Sequence, residues 1–166
     1  MLDFTAKKNF LNQIIKLLNE FDPNSIDNIY EFENNEIEFT QKHLVPEIKY
    51  SLDDLIQKGL IVKGPGDVAI PSFQFFNSKS ITDIVFIQDS NQLLSIEVKI
   101  LNNKGNRNQN ISTAIGQGII QSLSKFEFSL IYILDFNNDV ASEDITLLRN
   151  SLSNIDVHLI YKTVDV

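Results

Sequence analysis

The stretch QLLSIEVKIL, residues 92–101, is strongly apolar but carries an acid and a base near its centre. Side chains two residues apart on a β-strand point to the same face of the sheet. Glu97 and Lys99 therefore project together, whereas Ile96 and Val98 project to the opposite face. Charged side chains are seldom buried without a partner. The stretch therefore predicts either the wet edge of a sheet or a buried strand whose two charges have a chemical use.

The composition of the chain predicts one compact globular domain. The chain has 166 residues, enough for a sizeable core, and its hydrophobic fraction of 43% is ordinary for such a protein. It contains no cysteine, which excludes disulfides, thiolate metal sites and a thiol nucleophile. No apolar run approaches the roughly 20 residues of a membrane helix, and the first residues do not resemble a signal peptide. We therefore expect a cytoplasmic protein that binds no membrane.

The net charge of −8 disfavours a nucleic-acid partner, but the charges are unevenly distributed. Seven acids and no base lie between Glu20 and Glu38. Between residues 98 and 126 there is no acid, and the bases are Lys99, Lys104, Arg107 and Lys125. Both runs fit a solvated surface, but the basic segment also creates a local field that would attract phosphates. On this second interpretation Lys104, Arg107 and Lys125 contact nucleic acid.

Periodicity and turn residues predict an α/β fold. Helices are expected over 4–21, 44–60, 111–125 and 142–154, the last with Ser142 as its N-cap, and strands over 68–76, 81–88, 93–101, 129–136 and 157–164. Residues 28–39 alternate around two asparagines and predict a small hairpin or a loop. This order favours a mixed β-sheet flanked by helices, in which a three-strand meander leads into a crossover. Residues 1–40 form an N-terminal helix and acidic extension, and residues 41–166 form the core.

A second acid, Asp83, lies fourteen residues before Glu97, with a tight turn between the two strands. Adjacent antiparallel strands can bring these two carboxylates together, where each raises the pKa of the other unless a cation lies between them. A hard divalent ion, Mg²⁺ or Mn²⁺, suits such oxygen ligands, and the carbonyl of Val98 could add another. Lys99 would then point to the same place and could stabilise the charge of a phosphate under attack or orient a water.

The helix that follows, within STAIGQGIIQSLSK, presents two amides on one face. Gln117 and Gln121 are four residues apart, on the side opposite Ile115 and Ile119. The amides could touch a nucleic-acid backbone, order the lysine, or simply be solvated. Gly116 and Gly118 flank Gln117 and permit close approach of a strand or a ligand.

Together, Asp83, the Glu97-Val98-Lys99 tripeptide and the AIGQGIIQ helix resemble the PD-(D/E)xK, or restriction-endonuclease-like, nuclease superfamily. The resemblance covers about residues 44–136, with Thr82 where the family name has proline and Gln121 where many members have tyrosine. It implies a restriction-endonuclease-like sheet core, with Asp83 and Glu97 as metal ligands and Lys99 as the catalytic lysine. It also implies that Gln117 is the helix glutamine of the active site and that Glu47 is the additional acid on the preceding helix.

The resemblance leads us to expect a Mg²⁺- or Mn²⁺-dependent nuclease that hydrolyses phosphodiester bonds, in DNA rather than RNA. Duplex cleavage by one small active site commonly calls for two copies, so a homodimer is one arrangement to test. Three alternatives remain at this stage. The fold could serve as an inactive nucleic-acid or protein-binding module, or as a hydrolase of RNA or nucleotides. The chain could also be an unrelated α/β domain in which Glu97 and Lys99 form a surface pair.

Overall fold

The computed structural model of the protein describes residues 4–68, 72–75, 78–102, 107–138 and 140–165. Its α-helices are α1 (Phe4–Glu20), α2 (Glu36–Phe39), α3 (Val45–Ser51), α4 (Asp53–Ile56), α5 (Arg107–Ser122) and α6 (Ser142–Ser153). Its strands are β1 (Ile61–Lys63), β2 (Ser72–Phe75), β3 (Ser78–Ile81), β4 (Ile84–Gln88), β5 (Asn91–Leu101), β6 (Phe128–Asp135) and β7 (Val157–Thr163). Short 3-10 turns cover Pro23–Ser25 and Ile29–Phe32, and a π-helical turn, Thr40–Leu44, joins α2 to α3.

Strand β5 is the middle strand of a five-stranded sheet in the order β1-β4-β5-β6-β7. It pairs antiparallel with β4 on one side and parallel with β6 on the other. Parallel neighbours need a crossover connection, and α5 and α6 supply the two that this sheet requires. Because β5 has a neighbour on each side and helices over both faces, its apolar sequence is explained by burial. The predicted mixed α/β fold, with a mixed sheet flanked by helices, is confirmed.

The two faces of this sheet carry separate hydrophobic cores. On one face Ile96 packs with residues of α1, among them Ile14. On the other face Ile131 packs with residues of α5 and α6, among them Ala114. Glu97 is the partner of Ile131 in the β5–β6 register, so Glu97 projects towards the α5 side. The charged pair of the opening stretch therefore faces a helix and not open solvent.

The N-terminal segment is part of the first core. The predicted helix over 4–21 is confirmed as α1, whose Phe10, Leu11, Ile14 and Leu18 are buried together with the sheet. The chain before residue 41 therefore packs directly on the strands. Within the described residues, no helix has both the length and the apolarity needed to cross a membrane.

Residues 28–39, predicted as a hairpin or a loop, contain two helical turns, so the hairpin is wrong. Phe32 ends a 3-10 turn and Phe39 ends α2, and both side chains are buried in the core. Asn35 caps α2, because its side chain accepts a hydrogen bond from the backbone N–H of Glu38 at 3.1 Å. The asparagine that suggested a hairpin turn begins a helix instead.

The predicted meander is wrong in its first strand. Part of the predicted strand 68–76 forms β2, which pairs with β3 in a separate two-stranded sheet. The edge of the main sheet is β1, a three-residue strand too short to give a clear alternating pattern. The predicted strand 81–88 is divided at Thr82 and Asp83, which lie between β3 and β4. That division places Asp83 at the start of a strand and not within one.

The remaining predicted elements are present with shifted ends. The helix predicted over 44–60 is interrupted at Leu52, which lies between α3 and α4 with a non-helical φ of −111°. The helix predicted to begin at 111 begins at Arg107, and Ala141, not Ser142, is the N-cap of α6. These differences leave the order of the crossover helices and strands unchanged.

Helix α5 packs closely on the sheet through Gly118. A methyl group on Gly118 would lie 2.7 Å from two side-chain carbons of Ile131, whereas one on Gly116 would meet nothing within 4 Å. We expect Gly118→Ala to destabilise the protein by about 1 to 3 kcal/mol through overpacking. We expect Gly116→Ala, its matched control, to stabilise the helix by about 0.5 to 1 kcal/mol. Urea unfolding of the two variants measures both values, and equal effects would contradict this packing.

Candidate active site

The site forms where β4 and β5 separate. Strand β4 begins at Ile84, opposite Ile96, whereas β5 continues for five more residues, 97–101. On the side of β4, the backbone N–H groups of Val98 and Ile100 therefore have no strand to pair with. Buried N–H groups need acceptors. Side chains from two other parts of the chain supply them.

Asp83 and Glu36 take the place of the absent strand. Asp83 Oδ2 accepts a hydrogen bond from the N–H of Val98 at 2.8 Å, and Glu36 Oε2 accepts one from the N–H of Ile100 at 3.1 Å. Thr82, which is buried, donates its hydroxyl to the carbonyl of Ile96 at 3.0 Å. This hydrogen bond holds Thr82, and with it the start of β4, at the point where the strands separate.

Glu97 is almost completely buried, with 3% of its surface exposed. Its Oε2 accepts a hydrogen bond from Nε2 of Gln121 on α5 at 2.8 Å. Burial, and next the charge of Asp83, raise the pKa of Glu97 to about 8, although the bond from Gln121 opposes this shift. Such a carboxyl group is largely protonated at neutral pH when no cation is near.

The pKa of Asp83 is also raised, to about 6. Burial is the main cause, the hydrogen bond from Val98 opposes it, and the charge of Glu36 adds to it. Two neighbouring carboxyl groups with raised pKa values are typical of functional sites, since their environment opposes ionisation unless a positive charge arrives.

The ammonium group of Lys99 is held by Glu36. Lys99 Nζ donates to Glu36 Oε1 at 2.9 Å, and both side chains are largely shielded from solvent. Burial by itself would lower the pKa of Lys99, but the hydrogen bond and charge of Glu36, with Glu97 and Asp83, raise it above its usual value. Lys99 is therefore a fixed positive charge beside the two acids at neutral pH.

Glu36, which no sequence pattern indicated, contacts Lys99 and the backbone of Ile100, and Glu47 has no such contact among the described residues. Glu47 is exposed on α3 and lines a surface cavity with residues of α1, and its hydrogen-bond partner is Ser51. In the part of the chain that it describes, the structure therefore does not bring Glu47 together with Asp83, Glu97 and Lys99. The acid that reaches the site is Glu36, which lies on α2, whereas Glu47 lies on the later helix α3.

The two glutamines of α5 have roles different from those predicted. Gln121, predicted to contact nucleic acid, is completely buried against Glu97, so it cannot meet a duplex. Gln117 is partly buried, and its Oε1 has no hydrogen-bond partner among the described residues. The structure thus places Gln121 at the carboxylate and gives Gln117 no polar contact there. The four-residue spacing puts both amides on one side of α5, but the amide that is completely buried against Glu97 is that of Gln121.

Two of the predicted phosphate-binding residues, Arg107 and Lys125, are described, and they lie near opposite ends of α5. Lys104 lies outside the described residues. Arg107 pairs with the fully buried Asp135, and its Nη2 also donates to the hydroxyl of Tyr161 at 3.1 Å. This ion pair joins the start of α5 to the end of β6, and the contact of Arg107 with phosphate stays a prediction. Lys125 is exposed, in the turn between α5 and β6.

The donor atoms at the separation point fit a hard divalent cation. Asp83 and Glu97 each use one oxygen in the hydrogen bonds described above, which leaves the second oxygen of each for a ligand. The carbonyl of Val98 points to the same side of β5 as its N–H. No group of three or more His, Asp or Glu side chains able to hold a metal is found within the described ranges. Two carboxylates, a carbonyl and several waters are nevertheless a set that Mg²⁺ accepts.

Comparison with known proteins does not assign the chain to a family. No family model, curated protein or solved structure matches it. The resemblance to restriction-endonuclease-like nucleases therefore depends on Asp83 just before β4, on Glu97 and Lys99 of β5, and on helix α5 that packs over the sheet.

We expect the metal-free protein to lose stability as the pH rises from about 5 to about 9. The folded-state pKa of Glu97, about 8, lies above its unfolded value, so the stabilisation is complete at low pH and is lost as the pH rises through about 8. Because the pKa of Asp83 is raised to about 6, Asp83 adds a further loss of stability as the pH rises through about 6. Glu97→Gln keeps a neutral side chain and should therefore have a higher Tm than wild type at about pH 9, with little difference at about pH 5.

Thermal unfolding in EDTA across this pH range measures the difference. Glu47→Gln is the matched control, since it removes an exposed carboxylate elsewhere, and its curve should run parallel to that of wild type. A Glu97→Gln curve that is also parallel would contradict the raised pKa.

Proposed function

We propose that the chain is a metal-dependent nuclease that hydrolyses phosphodiester bonds in DNA, with a restriction-endonuclease-like core. The observation that carries this proposal is the meeting of Asp83, Glu97 and Lys99 where β4 and β5 separate. The side chains are held by hydrogen bonds and shielded from water, and their charges are balanced only in part. Such preorganised charge suits a reaction in which negative charge develops on a phosphate.

Asp83, Glu97 and the Val98 carbonyl would hold Mg²⁺ or Mn²⁺. A bound ion of this kind acts as a Lewis acid on a phosphoryl oxygen and lowers the pKa of a coordinated water. Gln121 keeps the Glu97 carboxylate oriented from behind, and the N–H of Val98 does the same for Asp83. The ligands therefore need little rearrangement when the ion arrives.

Lys99 would stabilise the charge of the scissile phosphate. Its ammonium lies near both acids but is bound by Glu36, so it stays beside the cation site without neutralising it. Glu36 in turn is anchored by the backbone of Ile100, which limits how far the Lys99 ammonium can move. In this role Glu36 is a positioning residue for Lys99.

A second function is favoured by one observation. Each acid of the site already satisfies a group of the protein: Asp83 the N–H of Val98, Glu36 the N–H of Ile100 and Glu97 the amide of Gln121. The same contacts would suit an inactive nuclease-like module in which the cluster only stabilises the separated strands. Such a module would bind nucleic acid or protein without hydrolysis. Metal binding at Asp83 and Glu97 distinguishes it from the enzyme.

We expect Mg²⁺ or Mn²⁺ to raise the Tm of the wild-type protein, because a ligand that binds only the folded state stabilises it by about 2.7 kcal/mol at 100 times its Kd. Asp83→Asn and Glu97→Gln should each remove this response, whereas Glu47→Gln should keep it. Thermal unfolding with and without metal is the measurement. The same metal response in all four proteins would exclude a site shared by Asp83 and Glu97.

We expect Lys99→Ala to lower the turnover of DNA cleavage by about 100-fold or more, since it removes a charge aimed at the transition state. Lys49→Ala is the matched control, because Glu47-Ile48-Lys49 repeats the acid-x-lysine pattern on a helix, where Lys49 pairs with Asp67. The measurement is single-turnover cleavage of duplex, single-stranded and branched DNA and of RNA, with Mg²⁺ or Mn²⁺. The rate of Lys49→Ala should equal that of wild type.

Loss of metal-dependent cleavage in Lys99→Ala, with the thermal response to metal retained, would support the enzyme. If wild type binds metal but cleaves none of these substrates, the nuclease proposal is wrong. Preferential cleavage of RNA would correct the substrate to RNA.

A further inference from the structure

Three polar side chains behind Glu97 are completely buried and have unsatisfied atoms. Ser95, Ser129 and Gln121 each have none of their surface exposed. Ser95 Oγ, Ser129 Oγ and Gln121 Oε1 have no hydrogen-bond partner among the described residues. A buried polar atom without a partner costs about 1 to 3 kcal/mol, so several in one place require an explanation.

The fold places these atoms on one side of the sheet, under α5. Ser95 and Ser129 are register partners on β5 and β6, and Ser95 lies two residues before Glu97 on the same face. Helix α5 crosses back over this face, with Gly118 against Ile131. Gln121, one helical turn further along, therefore lies over the level of the two serines.

The orientation of the Gln121 amide follows from its contact with Glu97. Gln121 Nε2 donates to Glu97 Oε2 at 2.8 Å, so the other amide atom, Oε1, is not used in this contact. That oxygen needs a donor.

We infer that Ser95 Oγ, Ser129 Oγ and Gln121 Oε1 bind one ordered water molecule beneath α5. A buried water typically makes about three hydrogen bonds, so one water would satisfy the two serine hydroxyls and the amide oxygen. The water accepts from a serine hydroxyl and donates to Gln121 Oε1, and so fixes the amide that orients Glu97. Ser95, Ser129 and Gln121 are thus positioning residues for Glu97. Their effect on metal affinity rests on the proposed function, whereas the water site does not.

The test of the water site is a high-resolution crystal structure of the wild-type protein without metal. The expected result is a density peak within hydrogen-bond distance of Ser95 Oγ, Ser129 Oγ and Gln121 Oε1. Serine hydroxyls that instead donate to carbonyls of their own strands, with no peak between them, would overturn the inference. This result does not depend on whether the protein binds metal or cleaves DNA.

The test of positioning is the affinity for Mn²⁺, measured by calorimetry on the Ser95→Ala/Ser129→Ala variant. We expect the Kd for Mn²⁺ to increase about 10-fold, as is usual when a group that orients a metal ligand is lost. Ser124→Ala is the control, because the Ser124 hydroxyl donates to the backbone carbonyl of Gln121 and not to the side-chain amide of Gln121. Each single serine variant should show an intermediate effect and remains informative if the double variant unfolds.

An unchanged Kd in the serine variants, with wild-type protein that binds Mn²⁺, would overturn the positioning role. If wild-type protein binds no Mn²⁺, the proposed metal site is wrong. The crystal structure then still decides whether the water is bound.

Discussion

The structure depends on the close burial of Asp83 and Glu97 where β4 leaves β5. Burial opposes the ionisation of both groups, and each charge also opposes the other. The protein supplies only partial compensation: one backbone N–H to Asp83, one side-chain amide to Glu97, and the charge of Lys99 near both. A site of this kind is expected to be most stable either with protons bound or with a cation between the carboxylates. This conflict is what makes a metal-dependent activity the best account of the geometry.

The same separation of strands explains why the N-terminal segment takes part in the site. Without β4 alongside, the N–H of Ile100 needs an acceptor, and Glu36 supplies one while it also binds Lys99. Glu36 lies on a helical turn whose Phe39 is fully buried in the core beneath the sheet. The packing of that turn therefore sets the position of the Lys99 ammonium. A change in this part of the core should act on Lys99 through Glu36.

The sequence allowed the central strand and the acids on it to be predicted, but not the acid that completes the site. Residues 92–101 carry both signals within one strand, the apolar alternation and the paired charges. Glu36 meets Lys99 across 63 positions of the chain, from a helix of only four residues, and no local periodicity indicates such a contact. The family resemblance indicated Glu47, on the helix before the first strand, but Glu47 is exposed and it is the next residue, Ile48, that is buried.

Two further differences between the sequence-based predictions and the structure have the same physical origin. Arg107 belongs to a segment without acids, so its sequence surroundings suggested free positive charge, but the fold brings the buried Asp135 to it from β6. Gln121 seemed as exposed as Gln117, because helical spacing shows that two residues share a face but not which of them a neighbouring strand covers. In each case a partner distant in the sequence decided the outcome. Sequence patterns identify the elements of this site, whereas tertiary contacts decide which side chains meet.

The most direct test of the account is calorimetric titration of the wild-type protein with Mn²⁺ at about pH 7, in two buffers of different ionisation enthalpy. Because the pKa of Glu97 is raised to about 8, an ion bound by Asp83 and Glu97 must displace a proton. The account predicts one binding site and release of about one proton per Mn²⁺, with the release lost in Glu97→Gln. Absence of Mn²⁺ binding, or binding that releases no proton and is unchanged by Glu97→Gln, would contradict it.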